Sequence, residues 1–342
     1  MEASNDTVAI ESPQAADKEW TQQLLRYRPK LLRQLHELLT TVAAYLPRGL
    51  VHHLMEAPAA ETFIVPLEGT VMFADIDGFT AMTERFSQTA SEGGAEEVSG
   101  LVNRFLDILI TTTIRYGGDL QKFGGDAGLL LFTGEDHAVR AVAAAIDVQR
   151  AMEEQMGEVE TSLGRFPFRI AIGLGSGQIT SASIGNAEGR EWLLAGSPLA
   201  AMGQAQGAAP GGGVALDALT RERCQDRIET TPLEEGFYLV ERLTGTPKLQ
   251  ALPALPPLPK IDDASCMDWL LQRLNALTPY LAIDLLERLT SASAQLRLWS
   301  EHRHVTILML AFNDFPDLTA FKNQPEALQA AINAPKIGRA HV

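Results

Sequence analysis

The apolar positions of this chain fall into two rhythms, and the change from one to the other marks its elements. From Pro29 onward Leu31, Leu32, Leu35, Leu38, Leu39 and Val42 recur at helical spacing, with Pro29 suited to a first turn. Such a helix packs on the domain, pairs with a partner helix, or does both. A short segment over 50–55 follows Pro47. Val71, Met72 and Phe73 then form a continuous apolar run that reads as a buried strand over 69–74, stopping on Asp75. Gly78 lets the chain turn, and Thr80 can cap a helix whose apolar face begins at Met82. Val98, Leu101, Val102, Phe105, Leu106, Leu109 and Ile110 predict a helix over 94–116, stopped by Gly117 and Gly118. Two strands, 120–123 and 129–132, flank the turn Gly124-Gly125-Asp126. A helix is predicted over 137–155. Residues 168–174 and 178–184 predict another hairpin, bridged by glycines. A strand and helix over 214–222 and a strand over 236–243 complete the pattern.

The order strand, helix, hairpin, helix, hairpin predicts an α+β fold in which helices cover one face of a sheet, and a ferredoxin-like βαββαβ unit fits it. Residues 1–18 are polar and predicted to be disordered, and 19–57 form a helical N-terminal segment. Residues 58–250 form the main domain. The run Ala-Leu-Pro-Ala-Leu-Pro-Pro-Leu-Pro within 251–265 holds neither helix nor central strand, so it reads as a stiff linker or a recognition site for a proline-binding module. A helical segment over 266–300 follows. Beyond the linker the chain repeats itself. Tyr45, Leu46, Leu50 and Leu54 match Tyr280, Leu281, Leu285 and Leu289, and the strand at Val71 matches Ile307-Leu308-Met309. Residues 301–342 thus read as the start of a second copy, cut short, with Ala311 opposite Asp75.

Composition narrows the picture. The chain has 342 residues, 46% of them hydrophobic, and a formal charge of −15. That balance argues against a nucleic-acid footprint, which needs clustered lysine and arginine. Cys224 and Cys266 lack the spacing of a disulfide framework or a zinc site. No signal-peptide core and no run of the roughly 18–20 apolar residues a membrane span needs is present, so the expected location is the cytosol.

Candidate chemistry gathers at two turns. Asp75, at the end of a buried strand, either caps that turn or serves as a metal ligand. If the split-unit fold holds, Asp75 and Asp126 approach one point. Two carboxylates sharing two divalent ions would clamp a triphosphate and lower the pKa of an attacking hydroxyl. Backbone N–H groups over Asp77, Gly78, Phe79 and Thr80 would cradle the terminal phosphates.

Phe73-Ala-Asp-Ile-Asp-Gly-Phe-Thr80, Lys122-Phe-Gly-Gly-Asp126, Arg169-Ile-Ala-Ile-Gly173 with Gly177, and Ile184-Gly185 together resemble the class III nucleotidyl cyclases, which include the adenylyl and guanylyl cyclases. The resemblance covers about 40–250 and restarts near 270. It implies that Asp75 and Asp126, with the Ile76 carbonyl, hold two Mg²⁺ or Mn²⁺ ions, and that a ribose 3′-OH attacks the α-phosphate to give a cyclic nucleotide and pyrophosphate. The chain departs from the family where its Asn, its Arg and its base-reading residue fall on Ala200, Gln204 and Leu193. A domain with these residues cannot complete a symmetric homodimeric site. The complementary loss at Ala311 resembles tandem, soluble-adenylyl-cyclase-like proteins, whose sites lie between two domains. By that resemblance the partner is a second cyclase domain in cis or in trans, ATP is favoured over GTP, and Lys122 sits in the paired, degenerate site unless it is merely an exposed hairpin lysine. The other reading is a non-catalytic regulatory domain that binds a nucleotide or a partner.

Overall fold

The computed structural model describes residues 13–59, 63–88, 94–186, 189–254 and 265–290, with two isolated helical positions at 327 and 330. Helix α1, Pro13–Ala44, buries Leu32, Leu39, Val42 and Ala43 along one face. Helix α2, Arg48–Glu56, starts after Pro47, and its first free donors are met from far along the chain: the Asp119 carboxylate accepts from the N–H groups of Arg48 and Gly49, both at 2.9 Å. Strand β1, Phe63–Asp77, runs into helix α3, Phe79–Gln88, through Gly78 at φ +75°. Helix α4, Gly94–Arg115, carries Glu96 and Glu97 in its first turn, where the helix dipole favours negative charge.

Strands β2, Asp119–Gly124, and β3, Ala127–Thr133, form the hairpin around Gly125 at φ +71°. Helix α5, His137–Met156, is buried along most of its length, because it lies across the sheet beneath α4. A small ribbon, β4 (Glu158–Thr161) and β5 (Gly164–Pro167), leads to β6, Arg169–Gly185, and β7, Arg190–Ala195. Helix α6, Ser197–Ala208, strand β8, Val214–Leu216, helix α7, Ala218–Cys224, and strands β9, Ile228–Pro232, and β10, Tyr238–Leu243, follow. Helix α8, Ser265–Leu277, a 3₁₀ turn over Thr278–Tyr280 and helix α9, Ile283–Thr290, come last.

The main sheet has the order β2-β3-β1-β6-β8-β10-β9, with β7 also paired to β6. Its first four strands and the helices between them have the connectivity of the ferredoxin-like unit, antiparallel throughout, and only the β6–β8 pair is parallel. Side chains alternate across β1. Met72, Ala74 and Ile76 enter the core under α3, α4 and α5, while Val71 packs with Ile179 and Met202 on the opposite face, under α6. A separate core joins α1, α2 and α8 to Phe63 and Trp192 at the far end of the β1–β6 ribbon. There the Trp192 indole donates to Gln121 Oε1 at 3.0 Å.

Several expectations change. The predicted hairpin over 168–184 is one seventeen-residue strand, β6, paired with β1 from Asp77↔Arg169 to Phe63↔Ser183. Its glycines serve contact rather than a turn. A Cβ on Gly173 would lie 2.2 Å from the Met202 carbonyl oxygen, and one on Gly175 would lie 2.2 Å from that of Pro198, so α6 rests directly on the strand backbone. Thr80 lies inside α3, because the positive φ of Gly78 already lets the helix begin at Phe79. Pro29 lies within α1, whose start is Pro13, so residues 13–18 are helical rather than disordered. Strands β4, β5, β7 and β9 were not expected. Residues 1–12, most of the proline-rich stretch (255–264), and the second strand copy with Ala311 lie outside the described residues.

Candidate active site

The β1–β3 register sets the centre of the site. Asp75 lies opposite Ala127, the residue after Asp126, so both aspartates stand at one end of the sheet, where the β2–β3 hairpin turns. Asp75 shares its strand face with Val71 and Phe73, the side on which α6 lies. Both carboxylates are half-buried, and both are harder to ionise than an ordinary aspartate. For Asp75 the main cause is burial, followed by the negative charge of Asp126, with Asp77 adding to it and the Ile76 backbone N–H opposing it. For Asp126 it is burial, opposed by its own backbone N–H. Among the described residues neither aspartate forms a salt bridge.

Two uncompensated carboxylates at one point fit a divalent cation, since hard oxygen donors with surplus negative charge are what Mg²⁺ and Mn²⁺ take. No cluster of three or more His, Cys, Asp or Glu exists among the described residues, so carbonyl, water and phosphate oxygens would complete such a shell. The Ile76 carbonyl is the adjacent backbone acceptor on β1.

Next to this pair the chain turns through Gly78 into α3. The first intrahelical bond there is Met82 N–H to Gly78 C=O, 3.1 Å, which leaves the N–H groups of Phe79, Thr80 and Ala81 without acceptors in the helix. A cavity of about 390 Å³ opens at that point, lined by Ile76, Asp77, Phe79, Arg85, Phe166 and Arg169. Asp77 faces Arg169 across the β1–β6 register. The glycine-rich loop 211–213 closes in behind it: a Cβ on Gly211 would lie 2.9 Å from Asp77 Oδ2. The two arginines were not singled out in the sequence. Arg169 stands at the head of an apolar run whose pattern was noted, and its position opposite Asp77 depends on a pairing register that no local signal encodes.

The predicted residues thus divide. Asp75 and Asp126 stand at one end of the β1–β3 pair, Ile76, Asp77, Gly78 and Phe79 line the cavity at the start of α3, and Thr80 is in the first turn of that helix. Lys122 is not in that group. It is exposed on β2, with its ammonium 3.4 Å from the Glu191 carboxylate on β7, two residues from Leu193. Ala200 and Gln204 are exposed on α6.

No family model matches the chain. It is 33% identical over 161 residues to adenylate cyclase type 10 of Rattus norvegicus, a match covering 45% of this chain and 9% of that protein. It is 28% identical over 243 residues to the photoactivated adenylate cyclase subunit beta of Euglena gracilis, covering 69% of this chain and 26% of that one. The matches therefore span between about a tenth and a quarter of these curated relatives. Among solved structures, a bacterial light-regulated adenylyl cyclase superposes with a TM-score of 0.51 at 20% identity, over 74% of this chain and 71% of that one. No described helix is long and apolar enough to cross a membrane. The chain is a homologue of the adenylate cyclases and carries the fold of a nucleotidyl cyclase catalytic domain.

Proposed function

We propose that the chain carries the metal-binding half of a nucleotidyl cyclase that converts ATP to 3′,5′-cyclic AMP and pyrophosphate, with a second cyclase domain completing the site. The observation that carries this reading is the Asp75–Asp126 pair, two half-buried carboxylates that burial makes harder to ionise, Asp75 further so by the charge of Asp126, and that lack a basic partner among the described residues. Asp75, Asp126 and the Ile76 carbonyl hold two Mg²⁺ or Mn²⁺ ions. When bound, these neutralise the triphosphate and acidify the ribose 3′-OH.

The free N–H groups at the start of α3 face the terminal phosphates, with Arg169 and Arg85 at the wall of the adjoining cavity to offset their charge. The 3′-oxygen bonds to the α-phosphorus, its proton leaves to solvent, and the bond from that phosphorus to the bridging oxygen breaks to release pyrophosphate. Positioning and charge neutralisation supply most of the rate in such transfers, and a missing transition-state arginine costs about 10³–10⁵-fold. Gln204 on α6 cannot replace that arginine, so the second domain provides it. ATP is favoured over GTP because the two relatives described above are named adenylate cyclases. Lys122 and Glu191, beside Leu193, line the companion site between the two domains.

The same α6 residues favour a second reading, a regulatory domain that binds a nucleotide or partner without turnover. One experiment separates the two. The chain alone, and the chain joined to a complete second cyclase domain, are assayed with ATP and GTP in the presence of Mn²⁺ or Mg²⁺. The expected result is little product from the chain alone, metal-dependent turnover from the pair, and none from its Asp75→Ala variant. Inactivity of the pair with both nucleotides overturns the enzymatic reading.

A further inference from the structure

Two helical hairpins in this structure repeat one another at an offset of 235 residues. Helix α2 starts at Arg48 and α9 at Ile283, and Tyr45 corresponds to Tyr280. Leu39 and Val42 correspond to Leu274 and Leu277, and all four are buried in the same core. The packing respects the same exchange. Helix α1 lies on α8, and α2 touches α8 as α9 touches α1. Swapping the hairpins leaves that set of contacts unchanged, as a two-fold relation between α1–α2 and α8–α9 requires.

Two of the contacts are present on one side only. The Tyr280 hydroxyl is hydrogen-bonded to the Ser183 hydroxyl near the end of β6. The matching hydroxyl of Tyr45 has no hydrogen-bond partner among the described residues, and Tyr45 is 40% exposed. Likewise Leu50 and Leu54 are fully buried in the core that holds Phe63 and Trp192, whereas Leu285 and Leu289 on α9 are only partly covered and Ile283 is 65% exposed.

We propose that the two hairpins form a reciprocal clasp between domains. Tyr45 and the apolar face of α9 are completed by a second domain of the same fold. Tyr45 docks on that domain's counterpart of β6, as Tyr280 docks on Ser183 here. A second copy of this chain is the poorer occupant, since its Ser183 is already taken by its own Tyr280. The clasp anchors the start of each domain on the β6–β7 pair of the other, and so sets how the metal-bearing edge of one half meets its companion. This inference rests on the tandem reading proposed above.

The test uses a chain extended through a complete second repeat, with a benzoyl photo-crosslinker placed by Tyr45→p-benzoylphenylalanine. A parallel Tyr280→p-benzoylphenylalanine variant is the control and tags a peptide within β6. The Tyr45 variant is expected to tag the downstream peptide that aligns with 180–185. Cross-links confined to residues 1–290, cross-links to another molecule, or none at all while the control tags β6, overturn the clasp. ATP and GTP turnover measured on the parent chain separates the two proposals. Cross-linking without turnover sinks the cyclase reading and leaves the clasp standing; turnover without cross-linking sinks the clasp alone.

Discussion

Replacing Gly173 with alanine drives a methyl group into α6, and the structure fixes how far. The added carbon would stand 2.2 Å from the Met202 carbonyl oxygen and 2.5 Å from the Gln206 backbone nitrogen, and neither atom belongs to a side chain that can swing away. Reaching ordinary contact requires helix and strand to separate by about 1 Å, which loosens Met202 from Val71 and Ile179. Overpacking of this kind costs about 1–3 kcal/mol. Alanine's lower backbone entropy returns roughly 0.5–1 kcal/mol of that, so a net loss understates the clash. An internal control lies on the same helix. Gly203 is exposed and a Cβ there meets nothing within 4 Å, so Gly203→Ala is expected to stabilise by about 0.8–1 kcal/mol through helix propensity alone. Thermal unfolding followed by circular dichroism reads both, at roughly 2–4 °C per kcal/mol for a domain of this size. The two variants should move the midpoint in opposite directions. A Gly173→Ala protein that melts at or above the parent temperature, while Gly203→Ala raises it, refutes the close-contact account of these strand glycines.

Three further perturbations have signs set by the structure. Burial, reinforced by the Arg223 charge, lowers the His137 pKa to about 4, with its Nδ1 held 2.7 Å from the Thr70 hydroxyl; between pH 6.5 and 4 the unfolded chain therefore binds more protons, so stability falls as pH drops through that window, and His137→Gln should flatten the pH dependence measured by urea unfolding. Arg140 is fully buried and donates to the carbonyls of Tyr116, Thr133 and Glu135 and to Gln250 Oε1, so Arg140→Met leaves several acceptors unmet and should cost at least about 3 kcal/mol in a denaturation series, with Arg140→Lys recovering only part because one ammonium cannot span the fork. Trp192→Phe strands the Gln121 acceptor at a cost of about 1–3 kcal/mol, and adding Gln121→Leu should restore much of it; a double-mutant cycle with coupling near zero would count against that buried bond.

Much of the site was legible because its signals are local. The apolar run at 71–73, the turn glycine at 78 and the Gly124-Gly125-Asp126 hairpin each encode their own geometry, and they place Asp75 and Asp126 together once β1 and β3 pair. What misled was glycine in a strand. Gly173, Gly175 and Gly177 read as a turn, yet the first two mark where another backbone comes close, and that depends on α6, more than twenty residues downstream. The start of α2 was equally hidden, since its capping carboxylate, Asp119, comes from β2. The short strands β4, β5 and β9 carry little apolar periodicity, and pairing rather than pattern defines them. Lys122, read either as part of the paired, degenerate site or as an exposed hairpin lysine, is exposed on β2 beside Glu191.

The anchoring of Gln250 has a consequence for how the chain is tethered. Its side chain is held by Arg140 and sits over Gly134, and its carbonyl oxygen occupies the place a Cβ on Gly117 would take. The proline-rich stretch therefore leaves the sheet from a fixed point. Fifteen residue steps separate Gln250 from Ser265 at the head of α8, so the span cannot exceed about 54 Å at ~3.6 Å per residue even for a fully extended chain. A tether this short holds α8 near α1 at an effective concentration in the millimolar range. The helix pair needs only weak intrinsic affinity to stay docked, and lengthening the tether would loosen it without changing a single contact.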